Sequence, residues 1–266
     1  MTSAMTSGEL ILAIETSTPT ARVAILDRDG VRRAAREATA ERHSSNLLRL
    51  CDEALRAAGV TPAELGAIAC GAGPGNFTGL RVGLAVGKGL ALPSARPFVL
   101  ISSLAALALD ILNAPGAAGS IAVPCIDAGK GQIYLGFFRG GADADALEAA
   151  EVPAGGAGTP ARIPGGPLLA ALAEDWVLNP GALLTGAPDE GTLLVAGNGA
   201  ERYADIIDAA LAARRPGARR VDVAGPSADA LGRLALLRLA RGESDSLESA
   251  VPSYGRAPDI TRPRRG

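Results

Sequence analysis

Apolar residues open this chain in short blocks separated by turn signals. Residues 10–16 (LILAIET) are a compact apolar run and predict a buried strand. Thr18-Pro19-Thr20 turns the chain, and residues 21–26 (ARVAIL) predict a second strand. Asp27-Arg28-Asp29-Gly30 is a hairpin signal, because Asp and Gly accept the backbone conformations of tight turns. Residues 31–38 then read as a polar third strand near an edge. The period changes over residues 43–58, where Leu47, Leu48, Cys51, Ala54, Leu55 and Ala58 form one stripe at helical spacing. Gly59 ends that helix, and Thr61-Pro62-Ala63-Glu64 reads as a capping box with proline at the first helical position. A strand at 67–71, a helix at 78–92 with Thr78 as its cap, a strand at 97–101 and a helix at 103–112 follow.

The pattern then starts again. Residues 121–127 (IAVPCID) are apolar and end in an acid; Ala128-Gly129-Lys130-Gly131 turns; residues 132–138 (QIYLGFF) return. The first half does the same with ILAIE, TSTPT and ARVAIL. Further on, 168–174 reads as helical, 192–196 as a strand, 201–213 as a helix and 220–223 as a short strand. Residues 228–241 read as a long helix capped by Ser227, whereas 140–166, rich in Gly, Ala and Pro, has no clear assignment. Three antiparallel strands followed by crossover units, given twice, predict an α/β chain with a duplicated ribonuclease H-like fold. This is the architecture of actin, heat-shock ATPases and sugar kinases. The halves are expected at 1–113 and 114–266, with the last helix packing back on the first.

Composition narrows the options without selecting one. The 266 residues are 48% hydrophobic and carry 26 Lys+Arg against 28 Asp+Glu, so no global field draws nucleic acid or an anionic membrane. Arg262, Arg264 and Arg265 read as a solvated basic end. Cys51, Cys70 and Cys125 are odd in number, widely spaced and set in apolar stretches, so they read as reduced core thiols. No signal peptide or membrane span is evident, and a cytoplasmic protein is expected.

The stretch GAGPGNFTGLRVG, residues 71–83, is the most distinctive. Gly71, Gly73 and Gly75 around Pro74 let backbone come close to a ligand or to another segment. The spacing fits neither a Walker A loop nor GxGxxG, so a tight strand-to-helix turn is favoured over an anion cradle. Gly79, Gly83 and Gly87 then recur every fourth residue, with Ala91 continuing the row. Each glycine costs about 1 kcal/mol against alanine in a helix, so the row reports a close approach. Its partner is either the chain's own sheet and first helix or a helix of another subunit.

Together with ILAIETS at the start, GAGPGNFTGLRVGLAVGKGLAL resembles the TsaB (YeaZ) family. His43-Ser44, IDAGKGQIYLGFF and VPSYGRAP (residues 251–258) support the resemblance. It implies a role in forming N6-threonylcarbamoyladenosine at position 37 of tRNAs that read ANN codons. Proteins of this family are non-catalytic relatives of TsaD. They pair with and activate it, a TsaE ATPase joins the pair, and alone they form homodimers through the same surface. tRNA is then met through the complex, no membrane is involved, and ATP or ADP is expected only in the assembled complex. The implied partner surface comprises His43, Leu47, Leu50, Cys51, Phe77, Thr78, Leu80, Arg81, Gly83, Leu84 and Gly87. Candidate nucleotide or anion contacts are Gly73, Gly75, Asn76, Asp127 and Gly129.

A catalytic reading has less to stand on. The catalytic relative holds a metal through a His-x-x-x-His pair. This chain has the single histidine His43, with Leu at position 47, so no catalytic or metal residue is expected. Glu15 and Asp127 close the two hairpins, where kinases and ATPases of this fold keep acids that manage magnesium and water. Glu15 reads as a structural acid and Asp127 is left open between the two roles. The alternative function is therefore an ATP-binding kinase or ATPase of the same fold. Gly197-Asn198-Gly199 reads as a turn.

Overall fold

In the computed structural model, the described residues are 10–39, 43–140, 169–171 and 176–253. The tail arginines, most of 140–166 and residues 254–258 of VPSYGRAP lie outside them, as do 168 and 172–174 of the expected fourth helix.

The first sheet comprises β1 (Leu10–Glu15), β2 (Thr20–Asp27), β3 (Arg32–Thr39), β4 (Leu65–Gly73) and β5 (Phe98–Ser102) in the order β3-β2-β1-β4-β5. β1, β2 and β3 pair antiparallel, and β4 and β5 are added parallel. Asp27 makes the first hairpin turn by accepting the N–H groups of Asp29 and Val31 on Oδ1, and Gly30 takes a φ of 75°. The second sheet comprises β6 (Ile121–Gly129), β7 (Gln132–Leu135), β10 (Trp176–Leu178), β11 (Leu193–Ala196) and β12 (Arg219–Arg220) in the order β10-β7-β6-β11-β12. Two antiparallel neighbours on one side of β6 and two parallel ones on the other repeat the first sheet's plan. β8 (Phe138–Gly140) and β9 (Leu169–Ala171) extend this sheet beside β6.

Helices separate the sheets into layers. α1 (His43–Ala58) and α2 (Phe77–Ala91) cover one face of the first sheet and touch each other. α3 (Ser103–Leu112) and α6 (Ala228–Ala240) lie between the sheets, where α6 packs on β1, β2 and β5 and α3 on β6 and β11. α4 (Asn198–Arg202) and α5 (Ala204–Arg214) cover the far face of the second sheet. The middle layer explains why α3 is apolar nearly all round: Leu104, Leu107 and Ile111 are fully buried.

Several expectations change. The run 132–138 is two strands, β7 and β8. The registers Cys125↔Leu135 and Ala122↔Phe138 put Pro124 opposite the break, and proline has no N–H for a ladder. The helix expected over 201–213 is broken at Tyr203, with φ −114° and ψ 31°. Residues 169–171 form a strand rather than part of a helix, and the strand Trp176–Leu178 had no signal of its own. β12 is shorter than 220–223, and Gly197-Asn198-Gly199 leads into α4 rather than forming a free turn. All three cysteines are buried and free, and burial pushes their thiols up. Among the described residues, no helix is long and apolar enough to cross a membrane.

Candidate functional site

The glycine loop joins β4 to α2, and the first hairpin turn packs beneath it. Asn76 donates its backbone N–H to the Ser17 carbonyl at 2.7 Å. Its side chain caps α2 by accepting the Gly79 N–H at 2.9 Å, so the cap is Asn76 and not Thr78. A Cβ on Gly71 would lie 2.5 Å from Glu15 Oε2, and one on Gly75 would run into the Ser17 carbonyl. One on Gly79 would meet the Thr16 carbonyl, one on Gly83 the Thr16 hydroxyl, and one on Gly87 the Cys70 sulfur. The glycines are therefore explained by the chain's own β1–β2 turn and β4.

Seven residues of the expected partner surface are corrected by this packing. Leu47, Leu50, Cys51, Leu80 and Leu84 are buried side chains, and Gly83 and Gly87 face the sheet. Phe77, Thr78 and Arg81 remain outward. Residues two apart on a helix point about 200° apart. The row Phe77, Arg81, Ala85 and Gly89 therefore lies opposite the glycine row Gly79, Gly83 and Gly87. Phe77 is 50% exposed with the Arg81 guanidinium stacked 3.8 Å from its ring centre. Leu92, 69% exposed, ends the same face, and Leu48 of α1, expected in the buried stripe, is 55% exposed. Leu48, Ala85, Gly89 and Leu92 were missed as surface residues. For Ala85 and Gly89 the available signal was the second four-residue period, which starts at Phe77. His43 opens α1, but its side chain is outside the described set.

Glu15 is fully buried at the end of β1. Its carboxylate accepts the Ser17 N–H at 2.6 Å and the Ser103 hydroxyl at 2.9 Å. Burial raises its pKa above the ordinary 4.5, while hydrogen bonds from Ser17 and Ser103 and the charge of Arg22 pull it down less strongly. Glu15 thus joins the first hairpin to the start of α3. Asp127, the matching acid of the second half, is engaged differently. It accepts from Arg202 Nη1 at 2.7 Å, from the Gly129 N–H at 3.1 Å and from the Tyr203 hydroxyl at 3.3 Å.

The expected anion contacts are not gathered into one cradle. Gly73 and Gly75 are packed against Ser253 and Ser17, and the Asn76 N–H is already bonded. Asp127 and Gly129 belong to the other sheet, with an arginine on the acid. Among the described residues, no group of three or more His, Cys, Asp or Glu is placed to hold a metal ion.

Two mixed sheets of matched strand order, a shared helical layer and one hairpin acid in each half define a duplicated ribonuclease H-like protein. The TsaD family model, described as tRNA N6-adenosine threonylcarbamoyltransferase, matches residues 35–259. The tRNA threonylcarbamoyladenosine biosynthesis protein TsaB of Escherichia coli K12 is 33% identical over 129 residues, 48% of this chain and 54% of that protein. Its Haemophilus influenzae namesake is 36% identical over 125 residues, 47% of this chain and 52% of that protein. The match thus spans about half the length of these curated relatives. The solved structure of YeaZ from Pseudomonas aeruginosa superposes with a TM-score of 0.71 at 28% identity, covering 92% of this chain and 99% of that one. The chain belongs to the TsaD family, on its TsaB (YeaZ) branch.

Proposed function

We propose that this chain is the non-catalytic activating subunit of the complex that forms N6-threonylcarbamoyladenosine at position 37 of tRNAs reading ANN codons. It acts by pairing with a TsaD-like catalytic subunit. The observation that carries the reading is the outward face of α2, where Phe77 and Leu92 expose large apolar groups at opposite ends and small Ala85 and Gly89 lie between them beside half-buried Lys88. Small residues let a partner helix approach closely, and an exposed aromatic beside an arginine suits an interface anchor. Leu48 on α1, which touches α2, is a further exposed large apolar residue. The single histidine of the sequence and the engagement of Glu15 and Asp127 by the chain's own residues support a subunit without its own metal chemistry. A TsaE-like ATPase joins the pair, the free chain forms homodimers through the same face, and tRNA and ATP or ADP are met in the assembled complex.

The test is a titration with the cognate TsaD-like protein, read by binding and by modified nucleoside in tRNA. Wild type binds and stimulates modification. Phe77→Ser weakens binding by at least about tenfold, as for an aromatic anchor, while an exposed site of this kind changes stability by about 0.5 kcal/mol or less. Undiminished binding by the variant would remove α2 from the interface. No stimulation by wild type would end the reading altogether.

A further inference from the structure

β5 is the outer strand of the first sheet, and such an edge leaves backbone groups for a neighbouring strand. Here the segment after α6 supplies them. Asp245 donates its N–H to the Phe98 carbonyl at 2.7 Å, and its Oδ2 accepts the Leu100 N–H at 2.7 Å. Arg238 Nη1 donates to the Leu100 carbonyl at 2.9 Å and to Asp245 Oδ2 at 2.8 Å. The chain then runs to Ala250, which is buried in the core beneath α1 and α2 with Leu247 packed against that core. Beyond it, Ser253 donates its N–H to the Ala72 carbonyl at 2.7 Å. A Cβ on Gly73 would lie 2.5 Å from the Ser253 carbonyl oxygen.

The glycine loop is thus gripped from two sides, by Ser17 through Asn76 and by Ser253 through Ala72. Its next residues are the cap and first turn of α2, where Phe77 and Arg81 face outward. The two ends of the strap differ in anchorage. Asp245 and Ala250 are tied to the sheet and the core, whereas Val251 is 67% exposed and Ser253 is only half-buried. A bond at the lightly buried end adds little apolar burial to the fold but fixes the loop it touches.

We infer that residues 245–253 are a positioning strap, and that the Ser253–Ala72 hydrogen bond sets the pose of the glycine loop and the partner-facing start of α2. This rests on the pairing reading above for its consequence, but not for its structural part. Ser253→Pro removes the N–H, and Ser253→Ala keeps it. Amide exchange across residues 75–80 of the isolated chain should accelerate in the proline variant and stay as wild type in the alanine variant. Protection in β1 and β4 should be unchanged in both. Affinity for the TsaD-like subunit should fall about three- to tenfold in the proline variant alone, the worth of one hydrogen bond.

Unchanged exchange in residues 75–80 of Ser253→Pro overturns the inference. So does loss of protection throughout β1 and β4, which would make the bond a support of the whole fold. Freed loop amides with wild-type affinity would leave the strap without its role at the interface and overturn that role. If wild type itself does not bind the TsaD-like protein, the pairing reading fails, and exchange in the isolated chain still decides the strap.

Discussion

The two hairpins occupy equivalent places in the two sheets and have opposite surroundings. In the first, Glu15, Thr16, Ser17 and Thr18 are all buried, the first three against the glycine loop and α2. In the second, residues 127–129 are half-buried, and Lys130 and Gly131 are exposed. Glycine serves each for a different reason. Around the first turn, Gly71, Gly75, Gly79 and Gly83 are needed because another segment occupies the space a Cβ would fill. In the second turn, Gly129 and Gly131 have nothing within 4 Å of a Cβ position but take φ of 70° and 78°. The acids follow the same division. Glu15 is a buried cross-link to α3, while Asp127 meets an arginine whose side chain is 61% exposed. One duplicated plan has yielded a packed joint in one half and an open turn in the other.

The largest effect should come from breaking the packed joint. Gly79→Val puts side-chain atoms where the Thr16 carbonyl lies, and neither the helix nor the buried turn backbone can yield easily. Overpacking typically costs about 1–3 kcal/mol and more where backbone must move, so thermal unfolding should show a strongly destabilised chain. A well-folded variant would mean that α2 can lift away from β1.

A smaller effect, with a distinctive pH signature, is expected for Glu15→Gln. The folded pKa is raised above 4.5, so between the unfolded and folded pKa values the native state holds a proton that the unfolded state has lost. Stability contributed by Glu15 is therefore fully present below about pH 4.5 and is lost as pH rises from there through the folded pKa. Urea unfolding should show wild type gaining on the Gln variant as the pH is lowered from neutral towards 4.5. A pH-independent difference between the two would contradict a strained buried acid.

The smallest effect belongs to the open turn. Gly129→Ala meets no neighbour and bears only the strain of positive φ, roughly 1–2 kcal/mol in the same unfolding measurement. A loss as large as that of Gly79→Val would erase the contrast between the two turns.

Much of this architecture was legible in the residues. α1 and α3 run over the residues read from their periodicity, and the first three strands differ by one or two positions. The capping box at Thr61 and Glu64 is present, with Glu64 accepting the Thr61 N–H at 2.8 Å. The duplicated plan was readable because each half announces itself with a buried strand, an acid and a return strand. The short pieces were not. Trp176–Leu178 is a strand because β7 offers it an edge, and Pro124 divides β7 from β8 only through its position on the neighbouring strand.

The glycine row shows the boundary most clearly. By itself the sequence determined that Gly79, Gly83 and Gly87 mark a close backbone approach, because a helix bears three glycines only where a side chain would be in the way. It could not say what approaches, since a small-residue row reads the same against a sheet or another subunit. Only the tertiary structure decided that Thr16 and Cys70 of the same chain fill that space, turning Phe77 and Arg81 to the surface. Spacing along a helix fixes which residues share a face, whereas the face that is buried depends on where the sheet beneath it lies.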